Sequence, residues 1–248
     1  MGIHITSVTP KQIAILKLLY TFRFLNRHQI QSLLKHKDYR LINAWLAFLV
    51  KSEVVGRIYS KTFGENTKPA IYYLKTKSKQ HLEKLEGISP DLLKRVYRER
   101  GRSKKFVDHC VQVADLYLYV ISNFKGKVQF FSKTELTLLN YLPTPKPDAY
   151  IASEDESGNT KRYFIEVIDS GVPHFAIRKR IHDYFDYAEN KTWESVTNHP
   201  FPSVLCVCPN DFTRNYLYRL IKGIESESAE SIDFFLSTQV KIIWQKVE

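Results

Sequence analysis

Two acidic residues between positions 146 and 187 are candidates for metal-dependent chemistry. Asp148 and Glu166 each stand at the edge of a short apolar run that is typical of a β-strand. The turn signal Ser157-Gly158-Asn159 separates the two runs, which predicts a β-hairpin. Such a hairpin brings both carboxylates to one end of a sheet, where oxygen ligands can hold a hard divalent cation.

A basic and aromatic helix is predicted after the second strand, in the run Arg178-Lys179-Arg180-Ile181-His182-Asp183-Tyr184. Acidic groups on strands and basic groups on the next helix are a common arrangement in metal-dependent phosphodiesterases. Asp148 also has a simpler interpretation, because Asp after proline is often a turn residue. Glu166 lies within an apolar run, where an ionised carboxylate is costly unless it is paired or bound to a metal.

The charge of the 248-residue chain is unevenly distributed. Residues 1–105 contain 22 Lys and Arg against 7 Asp and Glu, whereas residues 106–248 contain 15 against 19. This asymmetry predicts two modules, of which the basic one is suited to a polyanion. A well-solvated lysine-rich surface is the alternative, but an imbalance of this size favours nucleic acid, with DNA as the expected partner.

The cysteine content and the hydropathy indicate a protein of the reducing cytoplasm. Cys110, Cys206 and Cys208 are too few for a disulfide framework, and no second Cys/His pair completes a zinc set. The first residues lack the basic-then-apolar pattern of a signal peptide, and no apolar run approaches membrane-spanning length. Core cysteines and a cytoplasmic location are the expectations.

The N-terminal part predicts a winged helix. Helices are expected to begin at Thr9-Pro10, at Asn26 and near Asp38, since these residues are good N-caps before apolar runs of helical spacing. Strands are expected at 54–59 and 70–74, with a polar loop between them. Three helices followed by a hairpin describe a winged helix-turn-helix, which we expect to span residues 1–88.

In such a fold the third helix enters the major groove of DNA and the wing contacts the backbone. Side chains able to contact bases or phosphates stand at the start of that helix and on the wing loop. They are Lys37, Tyr39, Arg40, Asn43, Lys61 and Lys68. Winged helices also serve as protein-interaction modules, which is the alternative. Residues 89–105 are predicted to form a basic helix and linker.

Residues 106–248 predict an α/β module. A helix is expected at 106–121 and another at 175–188, with strands at 128–131, 147–151, 162–168 and 203–208. A further helix at 211–223 and strands at 232–235 and 240–244 complete the list. Mixed strands with helices on both faces predict a three-layer core, and the chain as a whole is expected to be of the α+β or α/β class.

The order of these elements and the short motifs within them resemble the PD-(D/E)XK nuclease fold. Over most of its length the chain resembles the replication-relaxation family of plasmids and other mobile elements. The motifs are His109, Pro147-Asp148-Ala149, Glu166-Val167-Ile168-Asp169, and Arg180 with Tyr184. The resemblance implies a catalytic domain in which Asp148 and Glu166 bind Mg²⁺ or Mn²⁺.

One position departs from the nuclease pattern, because Ile168 stands where a lysine normally follows the acidic residue. Lys179 or Arg180 could supply the missing positive charge, and Tyr184 shares a helical face with Arg180. The candidate catalytic residues are therefore Asp148, Glu166, Lys179, Arg180, Tyr184 and His109. A histidine on an apolar face is more often a hydrogen-bonded core residue, so His109 has that interpretation as well.

Three functions follow from these observations. The first is a DNA-binding protein that replicates or maintains a mobile element, with a metal-dependent deoxyribonuclease activity and possible contacts with replication proteins. The second is a non-catalytic replication or transcription factor that uses a degenerate nuclease fold as a binding platform. The third is a plain transcriptional regulator, which would bind a palindromic site as a dimer.

Overall fold

The computed structural model describes residues 8–124, 126–240 and 242–248. The chain divides into two compact units, residues 1–122 and residues 123–248. The expected start of the second module at residue 106 therefore differs from the observed division, which groups the helix beginning at Lys104 with the first unit. The two units are described separately below.

The first half of the N-terminal unit contains three helices and three short strands. They are α1 (Pro10–Phe22), β1 (Phe24–Asn26), α2 (Arg27–Leu33), α3 (Tyr39–Lys51), β2 (Val55–Ile58) and β3 (Ile71–Leu74). Thr9 and Asn26 cap α1 and α2 through capping boxes, and the side chain of Asp38 accepts a hydrogen bond from the amide of Arg40 at the start of α3. The predicted starts of all three helices are confirmed.

The three strands form an antiparallel sheet in the order β1-β3-β2. Strand β1 was absent from the prediction, because three residues between two helices give no detectable alternation. Gly56 in β2 lies under the ring of Tyr73, where a Cβ atom would approach the ring carbon Cζ to 2.2 Å. The order of helices and strands is the one expected for a winged helix, and that assignment remains a prediction.

The rest of the unit is helical. It comprises a 3₁₀ turn (Thr76–Ser78), α4 (Lys79–Leu82), α5 (Pro90–Leu93), a 3₁₀ segment (Lys94–Gly101) and α6 (Lys104–Asn123). The predicted linker at 89–105 is not solvated throughout, because Leu93, Val96 and Glu99 are buried. Helix α6 joins this unit through Val107 and Cys110, which cluster with the buried rings of Phe24 and Tyr73.

A buried carboxylate fixes the 3₁₀ segment. Glu99 is only 3 % exposed and pairs with Arg23 at 2.9 Å. Arg102 and Arg95 approach the same carboxylate at 3.7 and 3.9 Å. Burial, reinforced by the charge of Arg23, lowers the pKa of Arg95 to about 10. The carboxylate of Glu99 therefore reduces the mutual repulsion of the three arginine side chains around it.

The C-terminal unit is a six-stranded mixed sheet with helices. Its elements are β4 (Lys127–Ser132), α7 (Lys133–Leu136), β5 (Ala149–Glu154), β6 (Thr160–Val167), α8 (His174–Glu189), α9 (Thr192–Thr197), β7 (Ser203–Cys208), α10 (Asp211–Glu225), β8 (Phe234–Thr238) and β9 (Gln245–Lys246). The predicted last strand at 240–244 is wrong: Lys241 lies outside the described residues, and the structure has β9 at Gln245–Lys246.

The sheet order is β4-β5-β6-β7-β8-β9, and the pairs β6–β7 and β7–β8 are parallel while the others are antiparallel. Helices α8 and α10 bury Ile181 and Leu217 in one core with Phe164 and Phe234 of the sheet. The mixed α+β class is confirmed, whereas the three-layer, nuclease-like arrangement remains a prediction. No helix within the described ranges is long and apolar enough to cross a bilayer.

Replacing Glu99 with glutamine is expected to destabilise the N-terminal unit. Glu99→Gln leaves three arginines without their shared acidic partner, and removing one member of a buried ion pair costs about 3 kcal/mol. The free energy of unfolding in urea measures the effect. The matched control is Asp91→Asn, which removes a pair with Lys94. The Asp91 side chain is 82 % exposed, so this loss is expected to change the unfolding free energy much less. Equal losses in the two variants would contradict the role given to Glu99.

Candidate active site

Asp148 is held from four directions immediately before strand β5. Its amide donates to the carbonyl of Ile165, and its own carbonyl accepts from the amide of Lys133, both at 2.9 Å. Its Oδ1 accepts from Lys133 Nζ and its Oδ2 from the amide of Val167, also at 2.9 Å each. The residue is 3 % exposed, so it is not a solvated turn residue.

Glu166, the next-to-last residue of β6, has the polar partners that a carboxylate in an apolar strand needs. Its Oε1 accepts hydrogen bonds from the guanidinium of Arg180 and, at 2.5 Å, from the hydroxyl of Tyr184. Arg180 also donates to the carbonyl of Pro145 at 2.6 Å, which ties α8 to the segment before Asp148. The ring of Tyr184 is fully buried and lies under the Arg180 guanidinium, 4.6 Å from it.

The hairpin register brings the two carboxylates to the same end of the sheet. Strands β5 and β6 are antiparallel, with Ala149 opposite Ile165. Asp148 therefore stands beside the end of β6 that carries Glu166. At the far end, Gly158 adopts a φ of 83° and the side chain of Asp155 accepts from two turn amides. The predicted hairpin is confirmed.

Lys133 is the site residue that the sequence interpretation missed. It is the first residue of α7, and the pairing of Ser132 with Ala149 in the β4–β5 ladder sets it beside Asp148. A local signal was present, because Ser132 and Glu135 form a capping box directly after an apolar strand. That signal gives the helix start, but only the β4–β5 pairing shows which carboxylate the lysine meets.

The charges of the site reinforce one another. Burial lowers the pKa of Lys133, but the charges of Asp148 and Glu166 outweigh it, so the pKa lies above its usual value. Burial also lowers the pKa of Arg180, but the charge of Glu166 and the other neighbours have the larger combined effect, so the pKa of Arg180 is raised. Burial and then the charge of Glu166 raise the pKa of Tyr184 well above its usual value. Lys133 and Arg180 are therefore held in their charged forms and Tyr184 in its neutral form beside the two acidic side chains.

A cavity of about 110 Å³ opens beside Glu166 and Arg180. Its other walls are mainly aliphatic side chains from β6, β7, α8 and the connection between β6 and α8. They are Val167, Ile168, Val172, Ala176, Ile177, Ile181 and Cys206. Ile168, at the usual lysine position, is thus part of an apolar wall, and the ammonium group of the site comes from Lys133 instead.

The donor set fits a hard divalent cation in type and only partly in number. Magnesium commonly takes one or two protein carboxylates and completes its shell with water and phosphate oxygens. Glu166 Oε2 accepts none of the hydrogen bonds recorded among the described residues, whereas both oxygens of Asp148 are engaged. Within the described ranges, no group of three or more His, Cys, Asp or Glu side chains is placed to hold a metal. A cation would therefore compete with the ammonium group of Lys133 for Asp148.

Comparison with known protein families places the whole site within one of them. The profile of the replication-relaxation family matches residues 16–203, which is most of the chain and includes Lys133, Asp148, Glu166 and Arg180. The chain belongs to the replication-relaxation family. This membership supports a role in the replication or relaxation of plasmids and other mobile elements. No curated protein and no solved structure matches the chain.

Lys179 and His109 are the remaining predicted catalytic residues of this replication-relaxation protein. Lys179 pairs with Asp183 at 2.8 Å and is 73 % exposed, so Arg180 rather than Lys179 meets Glu166. His109 is half-buried on α6, in the first unit. The three cysteines are buried and form no disulfide, and burial raises the pKa of Cys206, which lines the cavity.

The predicted DNA-contacting side chains of the first unit are all exposed. They are Lys37, Tyr39, Arg40, Asn43, Lys61 and Lys68. Tyr39 is 51 % exposed, and the guanidinium groups of Arg27 and Arg40 lie 5.7 and 6.0 Å from the centre of its ring. Lys68 pairs with Glu65 on the wing loop at 2.9 Å. On α3, Ile42, Leu46 and Leu49 are buried.

Two buried tyrosines of α8 provide a matched test of the Glu166 contact. Tyr184→Phe removes one donor from a carboxylate, which is expected to cost about 2 kcal/mol of unfolding free energy in urea. Tyr187→Phe removes a buried hydroxyl for which the described part of the chain offers no hydrogen-bond partner, so the change is expected to be neutral or slightly stabilising. A Tyr184→Phe protein as stable as Tyr187→Phe would contradict the hydrogen bond to Glu166.

Proposed function

We propose that this replication-relaxation protein binds DNA during the replication or maintenance of a mobile element and cleaves phosphodiester bonds with Mg²⁺ or Mn²⁺. The observation that carries the proposal is the meeting of Asp148, Glu166 and Lys133 at one end of the sheet, with Lys133 Nζ 2.9 Å from Asp148. Two carboxylates and a lysine are the chemical set of a metal-dependent phosphodiesterase.

Each residue has a role that follows from its contacts. Asp148 and Glu166 would hold the cation, which when bound lowers the pKa of a water molecule and neutralises phosphate charge. Lys133 stays protonated near neutral pH and stabilises negative charge on the phosphate, which is the task of the lysine absent at position 168. Arg180 and Tyr184 fix the orientation of Glu166.

The first unit would bring the DNA. Residues 1–122 contain 22 Lys and Arg against 9 Asp and Glu, and such an excess favours phosphate binding through counterion release. Exposed Arg40 and Asn43 at the start of α3 have side chains able to make bidentate contacts with bases. This distribution supports binding to double-stranded DNA by the first unit and chemistry by the second.

A non-catalytic binding platform is the second candidate, and a specific feature favours it. Asp148 is paired with Lys133 and Glu166 with Arg180, so both carboxylates are already compensated without a cation. Buried ion pairs of this kind also occur as structural elements, because either charge alone would be costly. The two candidates differ in whether cleavage depends on Lys133 and Glu166.

Cleavage of supercoiled plasmid and of branched DNA with Mg²⁺ or Mn²⁺ tests the proposal. The wild type is expected to cut, Glu166→Gln to be inactive, and Lys133→Met to be about 100-fold slower because a charge-stabilising donor is lost. The matched control is Lys161→Met, an exposed lysine near the start of the same strand β6, which is expected to cut at the wild-type rate.

Duplex binding, measured in the same preparations, shows whether each variant is folded. Cleavage that persists in Glu166→Gln would indicate a contaminating nuclease and would contradict the proposed site. Binding without cleavage by the wild type under any divalent cation would favour the non-catalytic platform.

Loss of Arg40 is expected to weaken duplex binding. Arg40→Ala removes an exposed guanidinium at the start of α3, and the dissociation constant is expected to rise about tenfold by fluorescence anisotropy at fixed salt. Lys94→Ala is the control, because this lysine is 75 % exposed and pairs with Asp91 on a different segment. Equal weakening of duplex binding in both variants would show non-specific charge attraction and would contradict the role of α3 as a recognition helix.

A further inference from the structure

Three aromatic rings at the starts of α8 and α10 form a nearly parallel row. The imidazole of His174 stacks on the ring of Tyr216 with centroids 3.9 Å apart and planes 11° apart. The ring of Phe212 lies near His174 with centroids 6.2 Å apart and planes 26° apart. Phe212 is 69 % exposed, so the row ends in an open aromatic face.

The aromatic row (Tyr216, His174 and Phe212) lies beside the candidate active site. Strands β6 and β7 are parallel, and α8 and α10 are the next helices after their carboxyl ends, near which Glu166 also lies. Crevices outside the carboxyl ends of parallel strands are the usual ligand sites of such sheets. Val172 and Ala176, on either side of His174 in the chain, line the cavity that contains Glu166.

The charge around the aromatic row suits a phosphate chain. Arg178 follows His174 at a spacing of four residues, which places its guanidinium on the same face of α8 as that ring. Arg178 is exposed and takes part in none of the ion pairs recorded for the described residues. Aromatic faces alternating with basic side chains are the pattern by which proteins hold single-stranded nucleic acid, since every base offers a face for stacking.

We propose that the aromatic row stacks a base of an unpaired DNA strand as that strand enters the candidate active site. The inference rests on the proposed function, for which it names the substrate class: DNA with a single-stranded region, as at a fork, a bubble or a branch. The base adds to the row on the exposed face of Phe212, and Arg178 holds the adjoining phosphate.

Stacking can be measured without cleavage, so that this inference and the proposed function fail separately. The probe is an oligothymidylate with one 2-aminopurine, whose fluorescence falls when its base stacks, titrated with the full chain in EDTA. The wild type is expected to quench the probe. Phe212→Ala and His174→Ala are expected to reduce the quenching and to raise the dissociation constant at least about fivefold.

Phe175→Ala is the matched control. Phe175 is 75 % exposed on the same helix, and no ring contact is recorded for it among the described residues. It is expected to quench like the wild type. A fully paired duplex that contains the same base should show no difference between Phe212→Ala and the wild type.

Three results would overturn the inference. The first is unchanged quenching in both Phe212→Ala and His174→Ala, and the second is an equal loss in Phe175→Ala. The third is a change in sedimentation of Phe212→Ala with unchanged quenching, which would assign the rings to contacts between copies of the chain. If quenching behaves as expected and no cleavage occurs under any divalent cation, the stacking inference stands and the nuclease proposal fails.

Discussion

The C-terminal unit depends on compensating one buried carboxylate. Asp148 is almost inaccessible to water, and an ionised group in that position is tolerated only if each oxygen finds a donor. The donors come from different elements: the amide of Val167 at the end of β6 and the ammonium of Lys133 at the start of α7. Because β4, β5 and β6 must be in register for these bonds to form, a slip of one residue in either ladder would leave the charge uncompensated. The hydrogen bonds that assemble the candidate site therefore also fix the register of the sheet.

The pairing that stabilises the fold also controls any chemistry at the site. Asp148 with Lys133 and Glu166 with Arg180 form a cluster of two negative and two positive charges, which can be buried at moderate cost. A divalent cation bound by Asp148 would compete with the ammonium group of Lys133 for the same carboxylate. Under the proposed function, Lys133 would then contact the phosphate.

The sequence allowed the local elements to be predicted, but not the contacts that join distant segments. N-caps such as Asn26 and Asp38 and the turn at Gly158 depend on neighbouring residues, so the helix starts and the hairpin were correct. A basic partner for Glu166 was expected from the next helix, but the sequence left Lys179 and Arg180 as alternatives, and only the structure shows that Arg180 makes the contact. Lys133 could not be assigned, since it is 15 residues from Asp148 and meets it only through the β4–β5 ladder. The last strand was misplaced because short edge strands with one paired neighbour have a weak pattern.

Binding of Mn²⁺ to the DNA-free protein, followed by the electron paramagnetic resonance of the free ion, tests the central claim most directly. The account predicts that the wild type binds the ion, that Glu166→Gln does not, and that Lys133→Met binds it more tightly because the competing ammonium group is gone. Stronger binding after the loss of a positive residue distinguishes a cation site from a purely structural pair. If neither the wild type nor Lys133→Met binds Mn²⁺, the carboxylates at the end of the hairpin are structural and the account is wrong.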